Sequence, residues 1–163
     1  MADTHHVLLI FFDDPGRCRA AFEDFKLLPD LAAVAVLERS ADGIVDVPES
    51  HVESAAGYTV GAGVVGGLLG LLAGPAGAFL GLTNAAAAAE ALANARDQEG
   101  GAALIYVSGR VEEGTAALVA DLYEESPQPA DDLALRHGGT LERLSAKEFA
   151  AQVRAAEKAA RKA

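Results

Sequence analysis

Short apolar runs and amphipathic helical patterns alternate along the N-terminal part of the chain. The run from Val7 to Phe12 has the length of a buried strand, and the residues Asp13-Asp14-Pro15-Gly16 after it are typical of a helix start. We predict a helix from about Gly16 to Leu28, capped by Asp14 and ended by Pro29. Its expected apolar face consists of Cys18, Ala21, Phe22 and Phe25.

A second apolar run, from Leu31 to Leu37, also predicts a strand. The residues Ala41-Asp42-Gly43 have turn chemistry and predict a hairpin that returns through Ile44–Val47. Pro48 is the expected end of this short arm, because proline cannot donate to a strand ladder.

The same order recurs after residue 100. The apolar residues Ala102–Val107 predict a third strand, and Val111–Leu122 predict a helix. Glu112 and Glu113 fit the first turn of that helix, where carboxylates interact favourably with the helix dipole.

The C-terminal region predicts a loop, one more strand and a final helix. The loop is Ser126–Pro129, and one of the two segments flanking the Gly138-Gly139 turn, Leu133–Leu135 or Thr140–Leu144, is the expected fourth strand. Ser145 and Glu148 have the spacing of a capping box, which predicts a helix from there to near Ala163. Its expected core residues are Phe149 and Val153.

Two strand–helix–strand halves predict an α+β fold of the ferredoxin-like type, a four-stranded antiparallel sheet with helices on one face. Residues 1–54 are the first half, and residues 100–163 are the second half with the C-terminal helix. Between them, residues 55–99 are expected to form an inserted glycine- and alanine-rich helical hairpin.

The insert is unusual because 36 consecutive residues between Glu53 and Glu90 carry no charge. They include nine of the 17 glycines, several at a spacing of four residues, which makes a side-chain-free groove on a helix. The expected contact residues of this glycine zipper are Gly61, Gly63, Gly66, Gly67, Gly70, Gly74, Gly77, Gly81, Leu68, Leu69, Leu71, Leu72, Phe79 and Leu80.

The free-energy cost of glycine in a helix predicts that this hairpin packs against a partner. Glycine costs about 1 kcal/mol relative to alanine inside a helix, so the eight glycines cost about 8 kcal/mol if all are helical. The surrounding leucines would also expose a large apolar patch. Lipid, the protein's own sheet and further copies of the chain are the three candidates to cover it.

Helix length argues against lipid. Pro75 divides the segment into arms of about 25 Å and about 21 Å, both shorter than the roughly 30 Å hydrocarbon core of a bilayer. The flanks contain no tryptophan or Lys/Arg cluster to mark a membrane interface. A membrane-associated hairpin therefore stays the alternative, and packing between copies of the chain is the first hypothesis.

Charge and cysteine content exclude several classes of function. With 24 acidic and 13 basic side chains the net charge is −11, which opposes nucleic acid as a partner. One cysteine and an N-terminus without a signal-peptide pattern predict a reducing, cytoplasmic setting.

Few residues in the sequence are candidates for catalysis, metal binding or cofactor binding. Adjacent His5 and His6 on a strand point to opposite faces and cannot chelate one metal ion together, and His51 and His137 have no ligand partners at metal spacing. Cys18 is expected to be a buried thiol rather than a nucleophile. The adjacent carboxylates of Asp13 and Asp14 need no catalytic role, because Asp14 is explained as the cap of the following helix. The glycines lack the lysine of a phosphate loop. We therefore predict no catalytic residues, no metal and no cofactor.

The order of motifs resembles a bacterial domain-of-unknown-function family often labelled "membrane protein". The resemblance covers about residues 5–150 and is carried by Phe11-Phe12-Asp13-Asp14, the Ala41-Asp42-Gly43 turn, the Gly61–Gly81 block, Ala103–Val107 and Gly138-Gly139-Thr140. It implies a ferredoxin-like domain with a glycine-rich helical hairpin, and it implies no reaction. The Ala85–Ala89 run and the basic C-terminal helix depart from the family pattern.

These observations favour a non-enzymatic, self-assembling protein with a structural or scaffolding role, whose partner is itself. The first alternative is a membrane-anchored or membrane-remodelling protein that uses the same hairpin. The second is a ferredoxin-like domain that binds or converts a small molecule.

Overall fold

The computed structural model describes residues 5–29, 31–43, 45–52 and 106–162. In these residues the chain forms five strands and three helices, and residues 106–108 are also helical. The strands are β1 (His5–Phe12), β2 (Leu31–Arg39), β3 (Val45–Val52), β4 (Ala116–Tyr123) and β5 (Thr140–Ser145). The helices are α1 (Pro15–Phe25), α2 (Gln128–His137) and α3 (Ala146–Lys162).

The described strands form one antiparallel sheet in the order β3-β2-β4-β1-β5. The prediction of four strands is therefore wrong by one, because β3 is a full strand that continues past Pro48 to Val52. β3 lies at the edge of the sheet, where a missing backbone N–H is tolerated. Val36 pairs with Glu49 and Glu38 pairs with Asp46, so Pro48 lies in a bulge of the β2–β3 ladder.

The elements before β3 are close to their predictions. Asp14 caps α1 by accepting a hydrogen bond from the backbone N–H of Gly16 at 2.9 Å. The predicted apolar face of α1 is confirmed, since its buried residues are Cys18, Ala21, Phe22 and Phe25. The turn before β3 contains Gly43 with φ of 84°, a conformation that favours glycine.

The region after the insert differs most from prediction. Val111–Leu122, predicted as a helix, is a turn followed by the central strand β4. The predicted strand Ala102–Val107 is wrong at its described end, where Tyr106 and Val107 are helical, and residues 102–105 lie outside the described residues.

Near the C-terminus one of the two candidate strands is confirmed. Thr140–Leu144 belongs to β5, whereas Leu133–Leu135 and the end of the predicted loop belong to α2. The capping box of α3 is confirmed: Glu148 N–H donates to Ser145 Oγ and Ser145 N–H donates to Glu148 Oε2, both at 3.0 Å.

Apolar residues cover both faces of the sheet. On one face, Leu8 and Ile10 of β1 pack in a cluster with the buried sides of α1 and α2. On the other, Val7 and Leu9 pack with α3, whose core residues Phe149 and Val153 are buried as predicted. The expectation of helices on one face therefore describes α1 and α2, but α3 lies on the opposite face. The predicted hairpin and its boundaries lie outside the described residues.

Gly139, in the turn between α2 and β5, offers a direct test of how closely this turn packs against β1. A methyl group added at Gly139 would lie 2.5 Å from Ile10 Cγ2 and 2.7 Å from Phe12 Cζ, both in the core. We expect Gly139→Ala to lower the free energy of unfolding by about 2 kcal/mol in urea denaturation, because overpacking forces the core to shift. Gly114→Ala is the control: it has positive φ but nothing within 4 Å, so backbone strain of about 1 kcal/mol is its expected cost. An equal or smaller loss for Gly139→Ala would contradict the close packing.

Candidate functional site

The residues predicted to make oligomer or membrane contacts all lie between positions 53 and 105, outside the described residues. They are Gly61, Gly63, Gly66, Gly67, Gly70, Gly74, Gly77, Gly81, Leu68, Leu69, Leu71, Leu72, Phe79 and Leu80. The structure does describe both places where this segment joins the domain. One is Val52, at the end of edge strand β3, and the other is Tyr106.

Tyr106 and Arg110 hold the returning chain against the domain, and we call this group the re-entry cluster. The Tyr106 hydroxyl donates to Gln152 Oε1 of α3 at 2.5 Å, and its ring meets Phe149 edge-on at 6.1 Å between centroids. The guanidinium of Arg110 lies 4.9 Å from the centre of the Phe11 ring and donates to Glu142 Oε2 at 2.5 Å. The segment that returns from the insert is thus fastened to β1, β5 and α3.

Interactions of the Arg110 charge also stabilise the re-entry cluster. The hydrogen bond from Arg110 to the Glu142 carboxylate raises the pKa of Arg110, so the ion pair favours the charged guanidinium. A cation over an aromatic face adds a further attraction. These contacts attach residues 106–110, where the described chain resumes, to the core of the domain.

A second anchor joins the end of β2 to the same segment. Arg39 donates from Nη2 to the backbone carbonyl of Ser108 at 2.7 Å. The backbone of Arg39 also accepts from Gly114 N–H at 2.8 Å. Both contacts position the turn that leads into β4.

The two N-terminal histidines bind carboxylates on opposite faces of the sheet. His5 Nε2 lies 2.5 Å from Asp121 Oδ1, and the His5 ring stacks on Tyr123 with 4.4 Å between centroids. His6 Nδ1 lies 2.7 Å from Glu124 Oε2. The two side chains point to opposite faces of the strand, as adjacent residues are expected to do. In the described residues, no three His, Cys, Asp or Glu side chains are grouped closely enough to hold a metal ion.

Glu124 is the centre of a buried charge network that the sequence analysis missed. Its side chain is 4% exposed and accepts two hydrogen bonds from Arg143 of β5, at 2.7 and 2.9 Å. Burial alone would raise the pKa of Glu124, but the hydrogen bonds and charge of Arg143 lower it below its ordinary value. The same bonds raise the pKa of Arg143, which also donates to Asp131 at 2.9 Å. Paired in this way, the network ties β4, β5 and α2 together.

A groove of about 520 Å³ lies between the start of α1 and the end of α2. It is lined by Asp14, Gly16, Arg17, Ala20, Leu135, Arg136, His137 and Gly138. Beside it, Asp24 binds His137 Nε2 at 2.7 Å. Arg17 and Arg136 bring two guanidinium groups to a groove that the Asp14 carboxylate also lines, and no sequence spacing connects these two arginines.

Cys18 lies on the buried face of α1. Its side chain is fully buried, and burial, with the nearby charge of Glu38, raises the pKa of its thiol to about 12. Burial and the raised pKa both disfavour the thiolate, which is the nucleophilic form of cysteine. This agrees with the expectation of a buried thiol.

Comparison with known proteins does not identify a function for this chain, and neither does the length of its described helices. The sequence and structure match no protein-family model, no curated protein and no solved structure. In the part of the chain that the structure describes, none of the helices combines the length and apolarity needed to cross a bilayer. The resemblance to a bacterial family with a glycine-rich hairpin stays a prediction.

Proposed function

We propose that the protein is a non-enzymatic scaffold that assembles with copies of itself through the hairpin of residues 55–99. The observation that carries the proposal is the uncharged 36-residue segment between Glu53 and Glu90, with its glycines spaced for close helix contact. The side chains of such a segment stabilise a helix only weakly, so a closely packed partner would supply the missing stability.

The surface of the described domain supports this assignment of the contact. Among the described residues, the large hydrophobic side chains that are exposed are Leu27 and Leu135. Edge strand β3 contains Pro48 and the charged Asp46 and Glu49, features that discourage pairing with a strand of another molecule. The described residues therefore offer little apolar surface for association.

We also infer that the surrounding domain is ferredoxin-like. Without β3, the order of the remaining strands is β2-β4-β1-β5, with α1 connecting β1 to β2 and α2 connecting β4 to β5. This is the order of two interlocked strand–helix–strand halves. The hairpin would then be an insertion between the halves, carried by β3 at one end and the re-entry cluster at the other.

Light scattering after size exclusion, without detergent, tests the assembly. We expect the full chain to elute as a multiple of its 16.7 kDa mass, and Gly70→Ile to dissociate it because the added side chain fills the groove. Ala151→Ile is the control, since it places the same isoleucine side chain at an exposed position of α3. Each copy carries a net charge of −11, so salt should strengthen the assembly by screening repulsion.

Two results would contradict the proposal. A monodisperse monomer for the full chain would exclude self-assembly under these conditions. Recovery of the protein in carbonate-resistant membrane pellets, with no large particle in the soluble fraction, would favour the membrane-anchored alternative instead.

A further inference from the structure

We propose that the groove between α1 and α2 binds a small organic molecule carrying a phosphate or carboxylate group, through Arg17 and Arg136. At about 520 Å³ the groove falls within the range of about 300–1,000 Å³ seen for small-molecule sites. A guanidinium binds either group through paired, charge-assisted hydrogen bonds.

Arg17 has the charge to hold such a group. In the described part of the chain the Arg17 guanidinium makes no ion pair, whereas Arg19 and Arg143 each bind a carboxylate at 2.7 Å. Arg17 is exposed to solvent, so its guanidinium is accessible to a ligand in the groove.

The carboxylates near the groove are occupied by other partners. Asp14 accepts the capping hydrogen bond from Gly16 N–H at 2.9 Å. Asp24 binds His137 at 2.7 Å and lies at the longer distance of 3.9 Å from Arg136. Neither carboxylate forms an ion pair with Arg17, so the donors of its guanidinium are left to bind an anion.

Gly138 lets Arg17 lie close to the end of α2. A methyl group built on Gly138 would be only 3.1 Å from Nη1 of Arg17. With φ of 75°, Gly138 ends α2 in the left-handed conformation, so a glycine is favoured here for backbone reasons as well. The guanidinium therefore lies beside the end of α2, in a groove that Arg136 and His137, the last residues of that helix, also line.

Leu135 supplies an apolar wall. Its side chain is 81% exposed, although it lines the groove, and no described residue covers it. A ligand with an anionic group on Arg17 and a hydrocarbon part against Leu135 would bury this surface. This combination selects an organic anion over inorganic phosphate.

Titration calorimetry of the full-length protein with phenyl phosphate, benzoate, inorganic phosphate and phenol tests the site. We expect phenyl phosphate or benzoate to bind more tightly than inorganic phosphate or phenol. Arg17→Gln should weaken that binding at least about tenfold, because it removes a hydrogen bond to a charged group. Leu135→Ser should weaken binding of the aromatic anion and leave inorganic phosphate unchanged.

Arg154→Gln is the matched control, because Arg154 is exposed on α3, which does not line the groove. Circular dichroism verifies that Arg17→Gln is folded. The proposal is overturned if neither aromatic anion binds at millimolar concentration, or if Arg17→Gln and Arg154→Gln bind equally. Native mass is recorded in parallel, so failure of the anion site is distinguished from failure of self-assembly.

Discussion

Phe149→Ala should lower the free energy of unfolding by about 4 kcal/mol, the typical cost of removing a buried phenylalanine ring. Phe149 is fully buried, and its cluster joins α3 to Val7 and Leu9 of β1. Deleting the ring removes apolar contacts and leaves a cavity that the surrounding side chains fill only in part. Urea denaturation at a fixed protein concentration measures the effect.

The same substitution should loosen the return of the chain from the insert. The Phe149 ring is the edge-on neighbour of Tyr106, so its loss removes one wall of the re-entry cluster. Leu135→Ala is the control: this leucine is 81% exposed, and its truncation should change stability by less than about 0.5 kcal/mol. Equal losses in the two variants would show that α3 contributes little to the core.

Arg143→Met should cost about 3 kcal/mol at neutral pH, because it leaves the buried Glu124 carboxylate without its main partner. Methionine keeps most of the volume of the arginine stem, so the loss reports the charge. The groups that face Glu124 are Arg143 of β5 and His6 of β1, and Asp131 of α2 shares Arg143. Replacing Glu124 by glutamine in the Arg143→Met background should restore part of the stability.

The pH dependence gives this prediction a distinct signature. In the wild type the pKa of Glu124 is lowered, so its contribution is present above its ordinary pKa and is lost as pH falls through the lowered value. Without Arg143, burial becomes the dominant influence and raises the pKa of Glu124. Acid then relieves the buried charge by protonating the Glu124 carboxylate.

The measurement is therefore the difference in unfolding free energy between wild type and Arg143→Met at two pH values. We expect this difference to be smaller at about pH 5 than at about pH 7. Lys26→Met is the control, because the Lys26–Glu23 pair on α1 is solvent-accessible and worth less than about 1 kcal/mol. A loss that is the same at both pH values would show that Glu124 is not the source of the effect.

Local sequence signals were sufficient where capping and helical spacing agreed. Asp14, Pro15 and the apolar face of α1 all predicted the same helix, and Ser145 with Glu148 predicted the start of α3. These elements depend on contacts within a few residues of each other, which the sequence displays directly.

Strand β4 was predicted as part of a helix, because a strand in the middle of a sheet and a buried helix can have the same apolar composition. Its residues Ala116–Ala120 are continuously apolar and rich in alanine, so the pattern has no period of two. Only the pairing with β2 on one side and β1 on the other makes it a strand. Gly114, with φ of 77°, is the local signal that the chain turns before Ala116.

Helix α2 did carry a usable signal. Ala130, Leu133 and Ala134 have helical spacing, and Gly138 follows as a C-terminal cap. The prolines on either side of Gln128 suggested a loop, although proline is well tolerated in the first turn of a helix. Because the groove is completed by α2, the error also concealed the site at Arg17 and Arg136, whose proximity is a tertiary contact.

The position of Cys18 provides a reporter of global opening. It is the one cysteine in the sequence, and its side chain is buried between α1 and the sheet. Burial raises the pKa of the thiol, so it stays protonated at neutral pH. A thiol-specific dye reaches such a sulfur only when the helix leaves the sheet. The rate of labelling therefore counts opening events of the native fold without any engineered probe.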